Sequence, residues 1–280
     1  MLAPSKLKDL QASEYEHPFD RKALEMVRRT PGLDLVVRKL NELAIERMLK
    51  IQYTGSNLKV TRNNFPEVYR VLNTACEILE MSEIPELYIQ WNYGINAFTA
   101  GVEKPIIVLN SGCIDLLTPQ EQSYIIGHEL GHIKSQHVLY HQIAQVLPVL
   151  GNLVGGATLG MGGLLATSLE LVLLNWSRMS EFTADRAGIL ACQDVNVATN
   201  ALLKIAGLPQ KFFNSQVVDN FILQAREFEG YDFDTLDKIT KVMSTLWKSH
   251  PWTILRAAEL FKWVESGEYT SILNRHTLVK

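Results

Sequence analysis

Residues 116–140 read LLTPQEQSYIIGHELGHIKSQHVLY and contain the most informative motif of the chain. An H-E-x-x-H sequence runs from His128 to His132 at its centre. Residues four positions apart lie on the same face of an α-helix, so both imidazoles can bind one metal ion. Glu129 follows the first histidine, where its carboxylate can reach a metal-bound water without being a ligand. This spacing predicts a zinc centre on a helix.

The same stretch predicts one long helix with a well-defined start. Thr118 is a favourable N-cap, Pro119 occupies the first helical position and Glu121 completes a capping box. Further along, His137 and His141 form a second pair with four-residue spacing. At about 100° per residue on an uninterrupted helix, this pair points to roughly the opposite side from the first pair. A second metal site also needs further ligands, which the sequence does not offer, so we expect a surface or buried structural pair there.

Composition indicates a globular chain that has a sizeable core and does not bind nucleic acid. The chain has 280 residues, of which 47% are hydrophobic and 20% charged, and this length suits one or two domains. The net charge of −3 provides no positive field to neutralise phosphate groups, so nucleic acid is not an expected partner.

Cysteine usage and the N-terminal residues predict a cytoplasmic protein. Cys76, Cys113 and Cys192 are odd in number and far apart, which is typical of small buried residues in a reducing compartment. The first residues, MLAPSKLKDLQASEYEHP, include acidic side chains early and lack the apolar run of a signal peptide. Contact with a membrane surface is allowed by the apolar segment 143–174.

The hydrophobic pattern predicts an α+β fold that is mostly helical, with a small sheet directly before the H-E-x-x-H helix. Leu87, Ile89 and Trp91 alternate with more polar neighbours, as in a half-buried strand. We interpret residues 1–55 as a helical segment packed on a domain at 56–280, the two forming one structural unit. Helices are predicted at 20–29, 33–51 and 64–81, and strands at 58–60, 87–91, 94–99 and 105–109, with hairpins at the turns between the last three strands.

A catalytic zinc needs three protein ligands and an open position, so a third ligand must come from another segment. Glu181 is the best candidate, within the sequence SEFTAD at 180–185. Asp185 lies on the same helical face and can accept a hydrogen bond from a ligating histidine, which fixes the tautomer of that histidine. The alternatives are an exposed surface position for Glu181 and a plain ion pair of Asp185 with Arg186 or Arg178.

Two further segments supply candidates for contacts with substrate. His250 is a candidate oxyanion donor, and Arg256 can orient either this histidine or the carboxylates. A capping or core histidine beside Pro251 is the alternative. Asn96-Ala97-Phe98 is a candidate sheet edge that holds a polypeptide substrate as an added strand. An ordinary interior hairpin strand explains that sequence equally well.

Residues 143–174 form an unusually apolar segment. No charged residue occurs between Ile143 and Leu169, so the segment is formally a transmembrane candidate. Because His132 and Glu181 must bind one ion, the chain between them cannot cross a bilayer an odd number of times. Two crossings need about 40 apolar residues plus a turn, which this segment does not provide. We therefore predict a buried or lid-like helical hairpin, broken near Pro148 and the glycines at 151–163.

In type and order, these motifs resemble those of the M48 peptidases, a family that includes membrane proteases of the HtpX and CAAX prenyl protease types and soluble relatives. The resemblance implies a zincin fold of the gluzincin type, a zinc endopeptidase in which two histidines and a glutamate bind the metal. It also implies Glu129 as base, Asp185 as hydrogen-bond partner of a ligand, the Asn96 strand as substrate edge and His250 near the oxyanion. The matching motifs are Asn96-Ala97-Phe98, His128 to His132, Glu181 to Arg186, and His250-Pro251 followed by Arg256.

We predict a zinc-dependent metalloendopeptidase that binds one zinc ion per chain and hydrolyses protein or peptide substrates. Glu129 activates the zinc-bound water and delivers its proton to the leaving amine. A non-catalytic, zinc-bearing scaffold or chaperone for extended polypeptides is the main alternative, although such a protein does not need Glu129. A zinc hydrolase acting on a non-peptide bond is a third interpretation.

Overall fold

The described part of the chain is mostly helical, with one small sheet that precedes the central helices. A computed structural model describes residues 4–33, 36, 37, 40, 44–155, 161–229 and 252–277, without the side chains of 45, 148–155, 161–168, 228, 229, 276 and 277. Its helices are α1 (Pro18–Arg29), α2 (Ile45–Ser56), α3 (Pro66–Ile78), α4 (Ser111–Leu116), α5 (Pro119–Lys134), α6 (Val138–Gly155), α7 (Met161–Cys192), α8 (Val195–Ile205), α9 (Ser215–Glu229), α10 (Thr253–Glu265) and α11 (Glu268–Thr277). Its strands are β1 (Leu58–Lys59), β2 (Glu86–Gln90), β3 (Ala97–Ala100) and β4 (Ile106–Asn110). This confirms the predicted α+β class.

The four strands lie in the order β1-β2-β4-β3, so β3 is an edge of the described sheet. β2 and β4 are parallel, whereas β1 and β3 run antiparallel to their neighbours. The predicted hairpin between β3 and β4 is confirmed, but the one between β2 and β3 is wrong because β4 lies between them. β4 is buried along its whole length, as predicted. Ile107 and Leu109 face the main core, and Ile106 and Val108 face a smaller cluster.

The alternating burial predicted for β2 is wrong at two positions. Tyr88 was expected on a polar face but is only 4% exposed, and it packs with Ala100 and Val108 in the smaller cluster. Trp91 was expected to be half-buried, yet it follows the last residue of the strand and is 91% exposed. β2 is an interior strand covered on both faces, and such strands do not show a clear two-residue period.

Helices α5 and α7 pack closely because glycines of α5 face alanines of α7. A Cβ atom added at Gly127 would lie 2.3 Å from the Cβ of Ala191, and one at Gly131 would lie 2.5 Å from the Cβ of Ala187. Carbon atoms do not approach this closely, so only glycine permits the observed separation of the two backbones. The contact holds the H-E-x-x-H motif against the helix that carries Glu181.

Helix α5 begins where the sequence predicts and ends earlier. The predicted capping box is present at its start. Its end at Lys134 is set by Gln136, which adopts a left-handed conformation with φ 59°. The amide of His137 then donates to the carbonyl of His132 at 2.9 Å, the pattern of a Schellman motif. The single long helix predicted for this stretch is therefore wrong, since residues 135–137 separate α5 from α6.

Helices α6 and α7 contain the apolar segment and pack on each other. Ile143 and Leu147 of α6 share a buried cluster with Leu173 and Trp176 of α7. The chain does not break at Pro148, because the helical backbone continues through this residue despite the lost hydrogen bond. α6 instead ends at Gly155, among the glycines where the break was also predicted. None of the described helices combines the length and the apolar character needed to cross a bilayer. Contact of this segment with a membrane surface stays a prediction.

Helix α1 is attached to α7 and α10 through buried polar side chains. His17, its N-cap, places Nε2 3.0 Å from the carboxylate of Glu259 in α10. Asp20 is fully buried and accepts hydrogen bonds from Trp176 (2.9 Å) and Thr183 (2.6 Å) of α7. The division of the chain at residues 55 and 56 stays a prediction.

Candidate metal centre

Three donor atoms from α5 and α7 converge on one buried point. The Nε2 atoms of His128 and His132 are 3.2 Å apart. Each lies 3.4 Å from a carboxylate oxygen of Glu181. All three side chains are buried and meet the spacing expected of metal ligands. The residues that the sequence nominated as ligands are therefore brought together, while their role as ligands stays a prediction.

The geometry and chemistry of these donors suit zinc. Zinc binds histidine nitrogen and carboxylate oxygen at roughly 2.0–2.2 Å in tetrahedral geometry, which places neighbouring ligand atoms about 3.3 Å from each other. The observed separations of 3.2 and 3.4 Å agree with that value. Two histidines and one carboxylate also leave a fourth position free for water or substrate.

Asp185 connects the donor set to α10. Its Oδ1 lies 3.0 Å from Nδ1 of His128 and accepts a hydrogen bond from the hydroxyl of Tyr124 at 2.8 Å. Arg256 donates to both oxygens of Asp185, at 2.6 and 2.8 Å, and lies 3.5 Å from Glu181. The Asp185–His128 contact places the imidazole proton on Nδ1 and leaves Nε2 directed at the other ligands.

The charges around Asp185 keep it ionised. Burial alone would raise the pKa of Asp185, but the charge and hydrogen bonds of Arg256 lower it to about 2. Burial alone would likewise lower the pKa of His128, yet its hydrogen bonds with Asp185 and Glu181 raise it to about 9, so a metal ion that binds Nε2 has to displace a proton from that nitrogen. Asp185 can therefore accept a hydrogen bond from His128 throughout the neutral range.

Glu129 lies beside the donor set on the side of the sheet edge. Its Oε2 accepts a hydrogen bond of 2.7 Å from the hydroxyl of Thr99 in β3. The carboxylate is buried yet lines two cavities, of about 870 and 590 Å³. Both cavities share the residues Asn96, Ala97, His128, Glu129 and Glu181. The two cavities thus meet at the donor set and form one cleft across it.

The second histidine pair lies toward the candidate metal centre, so the prediction that it points to the opposite side is wrong. The left-handed residue Gln136 redirects the chain after α5. Nδ1 of His137 consequently lies 3.1 Å from Nδ1 of His132. The ring centroid of His141 is 4.9 Å from that of His132, and its nitrogens contact Ser177 and Ser180.

The remaining site predictions have mixed outcomes. His250 and Pro251 lie outside the described residues. Arg256 contacts the carboxylates, which is one of the two roles expected for it. Asp185 pairs with Arg256, whereas Arg186, one of its expected alternative partners, donates to the backbone of residues 15 and 16.

Four residues that contact the site directly or through one other side chain were not predicted to do so: Asp20, Thr99, Tyr124 and His137. Tyr124 precedes His128 by one helical turn, so its place on the same face was available from the spacing. His137 was assigned to the wrong side because the helix end was not recognised. Asp20 and Thr99 reach the site only through tertiary contacts, and no local sequence signal identifies them.

The family assignment agrees with this geometry. A model of Peptidase family M48 matches residues 63–264. Because the match covers well over half of the chain, the chain belongs to peptidase family M48 and is a metallopeptidase. Membership of this family implies a protein-bound metal ion.

Two kinds of relative are similar to the chain. The plastoglobule-localized metallopeptidase 48, chloroplastic, of Arabidopsis thaliana is 34% identical over 275 residues, covering 97% of this chain and 78% of the relative. Protease HtpX homolog 2 of Methanosarcina mazei is 28% identical over 179 residues, covering 55% of this chain and 60% of the relative. The homologue of the same name from Methanosarcina acetivorans is 29% identical over 178 residues, with the same coverage. No solved structure matches the chain.

Proposed function

We propose that the chain is a zinc-dependent metalloendopeptidase with a gluzincin fold and one zinc ion per chain. The observation that carries the proposal is the convergence of His128, His132 and Glu181 at tetrahedral ligand spacing beside a fourth residue, Glu129. In this arrangement the first three residues hold the metal. Glu129 has no place among the ligands and is free for proton transfer.

The chemistry follows from the positions of the side chains. Zinc, when bound, supplies a positive charge that polarises the scissile carbonyl and makes water more acidic. Glu129 takes a proton from a water in the cleft and returns it to the leaving amine. The Thr99 hydroxyl, at 2.7 Å from Oε2 of Glu129, holds the carboxylate in place for both transfers.

The cleft and the edge strand support a polypeptide as substrate. The amide of Asn110 donates to the carbonyl of Asn96, and hydrogen bonding alternates along antiparallel strands. The main-chain groups of Ala97 and Thr99 therefore point away from β4, toward the open side of the edge. An extended substrate adds to β3 through these groups, a common mode of peptide recognition. The side chain of Phe98 instead packs on Tyr53, at 4.9 Å between ring centroids.

Four further assignments belong to the same proposal. His250 supplies a hydrogen bond to the oxyanion, and Arg256 keeps Asp185 and Glu181 oriented. Residues 1–55 and 56–280 act as one unit, supported by the buried contacts of α1. The chain is cytoplasmic or peripheral to a membrane; the name of the Arabidopsis relative places that protein at plastoglobules.

The decisive experiment compares wild type with Glu129→Gln. Gln keeps the size of the side chain but cannot take a proton. We expect cleavage of an unfolded protein substrate to fall by roughly 10²–10⁴-fold, the usual contribution of general acid–base catalysis. Zinc content and melting temperature should stay at the wild-type level. Chelation should abolish wild-type cleavage, and added zinc should restore it.

A matched control is Glu259→Gln, which changes a buried carboxylate away from the cleft and should retain cleavage. If wild type and Glu129→Gln bind zinc but are equally inert on many proteins, the proposed activity is wrong and a zinc-bearing binding scaffold is favoured. If wild type cleaves only non-peptide substrates, the reaction class is wrong.

A further inference from the structure

The two candidate histidine ligands differ in what holds their Nδ1 atoms. His128 faces the carboxylate of Asp185 directly, at 3.0 Å. His132 faces another imidazole, His137, at 3.1 Å between the two Nδ1 atoms. The other nitrogen of His137, Nε2, lies 3.0 Å from Oδ2 of Asp20. Each candidate ligand is thus connected to a carboxylate: His128 contacts Asp185 directly, and His132 is connected to Asp20 through the ring of His137.

Only one arrangement of protons satisfies this second chain of contacts. If Nε2 of His132 binds a metal, its proton is on Nδ1 and is donated to Nδ1 of His137. The proton of His137 is then on Nε2, facing Asp20. The 3.0 Å contact with Asp20 is close, although the N–H bond is not well aligned with the oxygen, so it is an attraction between the carboxylate charge and the N–H dipole rather than a well-directed hydrogen bond.

The intervening ring is held from both ends. The Schellman turn after α5 fixes the backbone of His137 against that of His132. Asp20 is fixed by hydrogen bonds from Trp176 and Thr183 of α7. His137 and Asp20 are both fully buried, so water does not compete for these contacts.

We propose that Asp20 is a positioning residue of the metal centre, acting through His137 to fix the tautomer and orientation of His132. This inference rests on the proposed zinc-binding role of His132. It makes α1 part of the active-site architecture, although Asp20 precedes the residues that match the family model, 63–264.

A second metal ion between His132, His137 and His141 is the competing interpretation, because their nitrogens lie within 4.8 Å of one another. His132 would then have to bind metal through both ring nitrogens and lose both protons. The Asp20 carboxylate argues against this, since it requires a proton on the facing nitrogen of His137.

The first test is zinc affinity of Asp20→Asn, measured by competition with a chromophoric chelator. The amide can satisfy either Trp176 or His137, but not both, because its NH₂ group meets an N–H donor in either orientation. We expect the dissociation constant for zinc to rise about 10–100-fold, the usual effect of removing an outer partner of a ligand. The absorption spectrum of the cobalt-substituted protein should change as well.

Glu259→Gln is the matched control, because it removes the other buried carboxylate contact of α1, with His17, and leaves His137 untouched. We expect its zinc dissociation constant to match wild type. Equal zinc affinity of Asp20→Asn and Glu259→Gln would overturn the inference. Any change in affinity would then come from weaker attachment of α1, which both variants share, and not from the contact of Asp20 with His137.

A second pair of variants decides the question if Asp20→Asn does not fold. His137→Gln can still accept a hydrogen bond from His132 and donate one to Asp20, whereas His137→Leu, of similar size, can do neither. The Gln variant should bind zinc at least about 10-fold more tightly than the Leu variant. Equal affinities would refute the role of Asp20. Wild-type protein that binds no zinc would instead refute the proposed function.

Discussion

His17 is a buried imidazole whose contacts define its protonation state. Its Nδ1 accepts a hydrogen bond of 3.1 Å from the amide of Phe19, so its proton lies on Nε2, facing Glu259. Burial lowers the pKa of His17 below its usual value of 6.5, and Glu259 only partly offsets this effect. The neutral ring is therefore the form that caps α1.

This protonation state makes stability depend on pH. Below about pH 6.5 the unfolded chain binds a proton at His17 and the native chain does not, so acid favours unfolding. The stability that His17 contributes is complete above that pH and declines below it, by at most about 1.4 kcal/mol per pH unit. The His17→Gln variant has no titrating group at this position, so it does not lose stability in this way. Urea unfolding of both chains should show the stability gap between them narrowing on acidification.

The other histidines are present in both wild type and His17→Gln, so their pH-dependent contributions to stability largely cancel when the two proteins are compared. A gap that widens on acidification would mean that native His17 is protonated and paired with Glu259, contrary to the expected result.

At the scale of elements, the contact between α5 and α7 depends on the absence of side chains. We expect Gly131→Ala to destabilise the fold by about 1–3 kcal/mol, the usual cost of overpacking. Its Cβ would meet that of Ala187 at 2.5 Å, so the two helices must separate. Because Glu181 is carried by α7, zinc affinity should fall too. Chemical unfolding and zinc competition measure the two effects.

Two further variants test whether the close contact between α5 and α7 causes the loss of stability. Gly131→Ala combined with Ala187→Gly exchanges the two methyl groups and should restore most of the stability. Gly55→Ala in α2 places its methyl group in open space and should be neutral or slightly stabilising. A double variant no more stable than Gly131→Ala alone would show that the close contact is not the reason for the loss.

The elements also show how far sequence reasoning reaches. The start of α5 and the shared face of His128 and His132 follow from local rules, because capping and helical spacing involve residues a few positions apart. The end of α5 did not follow, because Gln136 adopts a left-handed conformation that favours glycine or asparagine. Trp91 was misplaced because burial of β2 depends on neighbours distant in sequence.

The site residues likewise divide into those that local spacing identifies and those that depend on distant parts of the chain. Glu181 and Asp185 were found because four-residue spacing on a helix is visible in the sequence. Asp20 and Thr99 were not found, because each reaches the site through packing of separate elements. The mutual order of the strands was likewise not accessible, since β4 is inserted between two consecutive strands by long-range pairing.

At the scale of the molecule, the metal centre joins α1, α5, α7 and α10. On the proposed function, chelation of zinc leaves the buried side chains of His128, His132 and Glu181 without the cation that they share. We expect hydrogen exchange to increase in α1 and α10, which reach the centre through Asp20 and Arg256. Helix α3 should respond less, because its buried side chains are apolar or nearly so. Exchange mass spectrometry with and without chelator measures this, and an equal increase in all three helices would indicate global loosening only.

Arg256 also bears on when the proposed enzyme can become active during its synthesis. The ribosome adds α5 and α7 well before it reaches position 256. Until then Asp185 and Glu181 lack the guanidinium that contacts both carboxylates in the finished structure. On the proposed function, a nascent chain interrupted before α10 is not a competent protease. On the same proposal, the late position of this arginine in the chain makes completion of the site coincide with synthesis of α10.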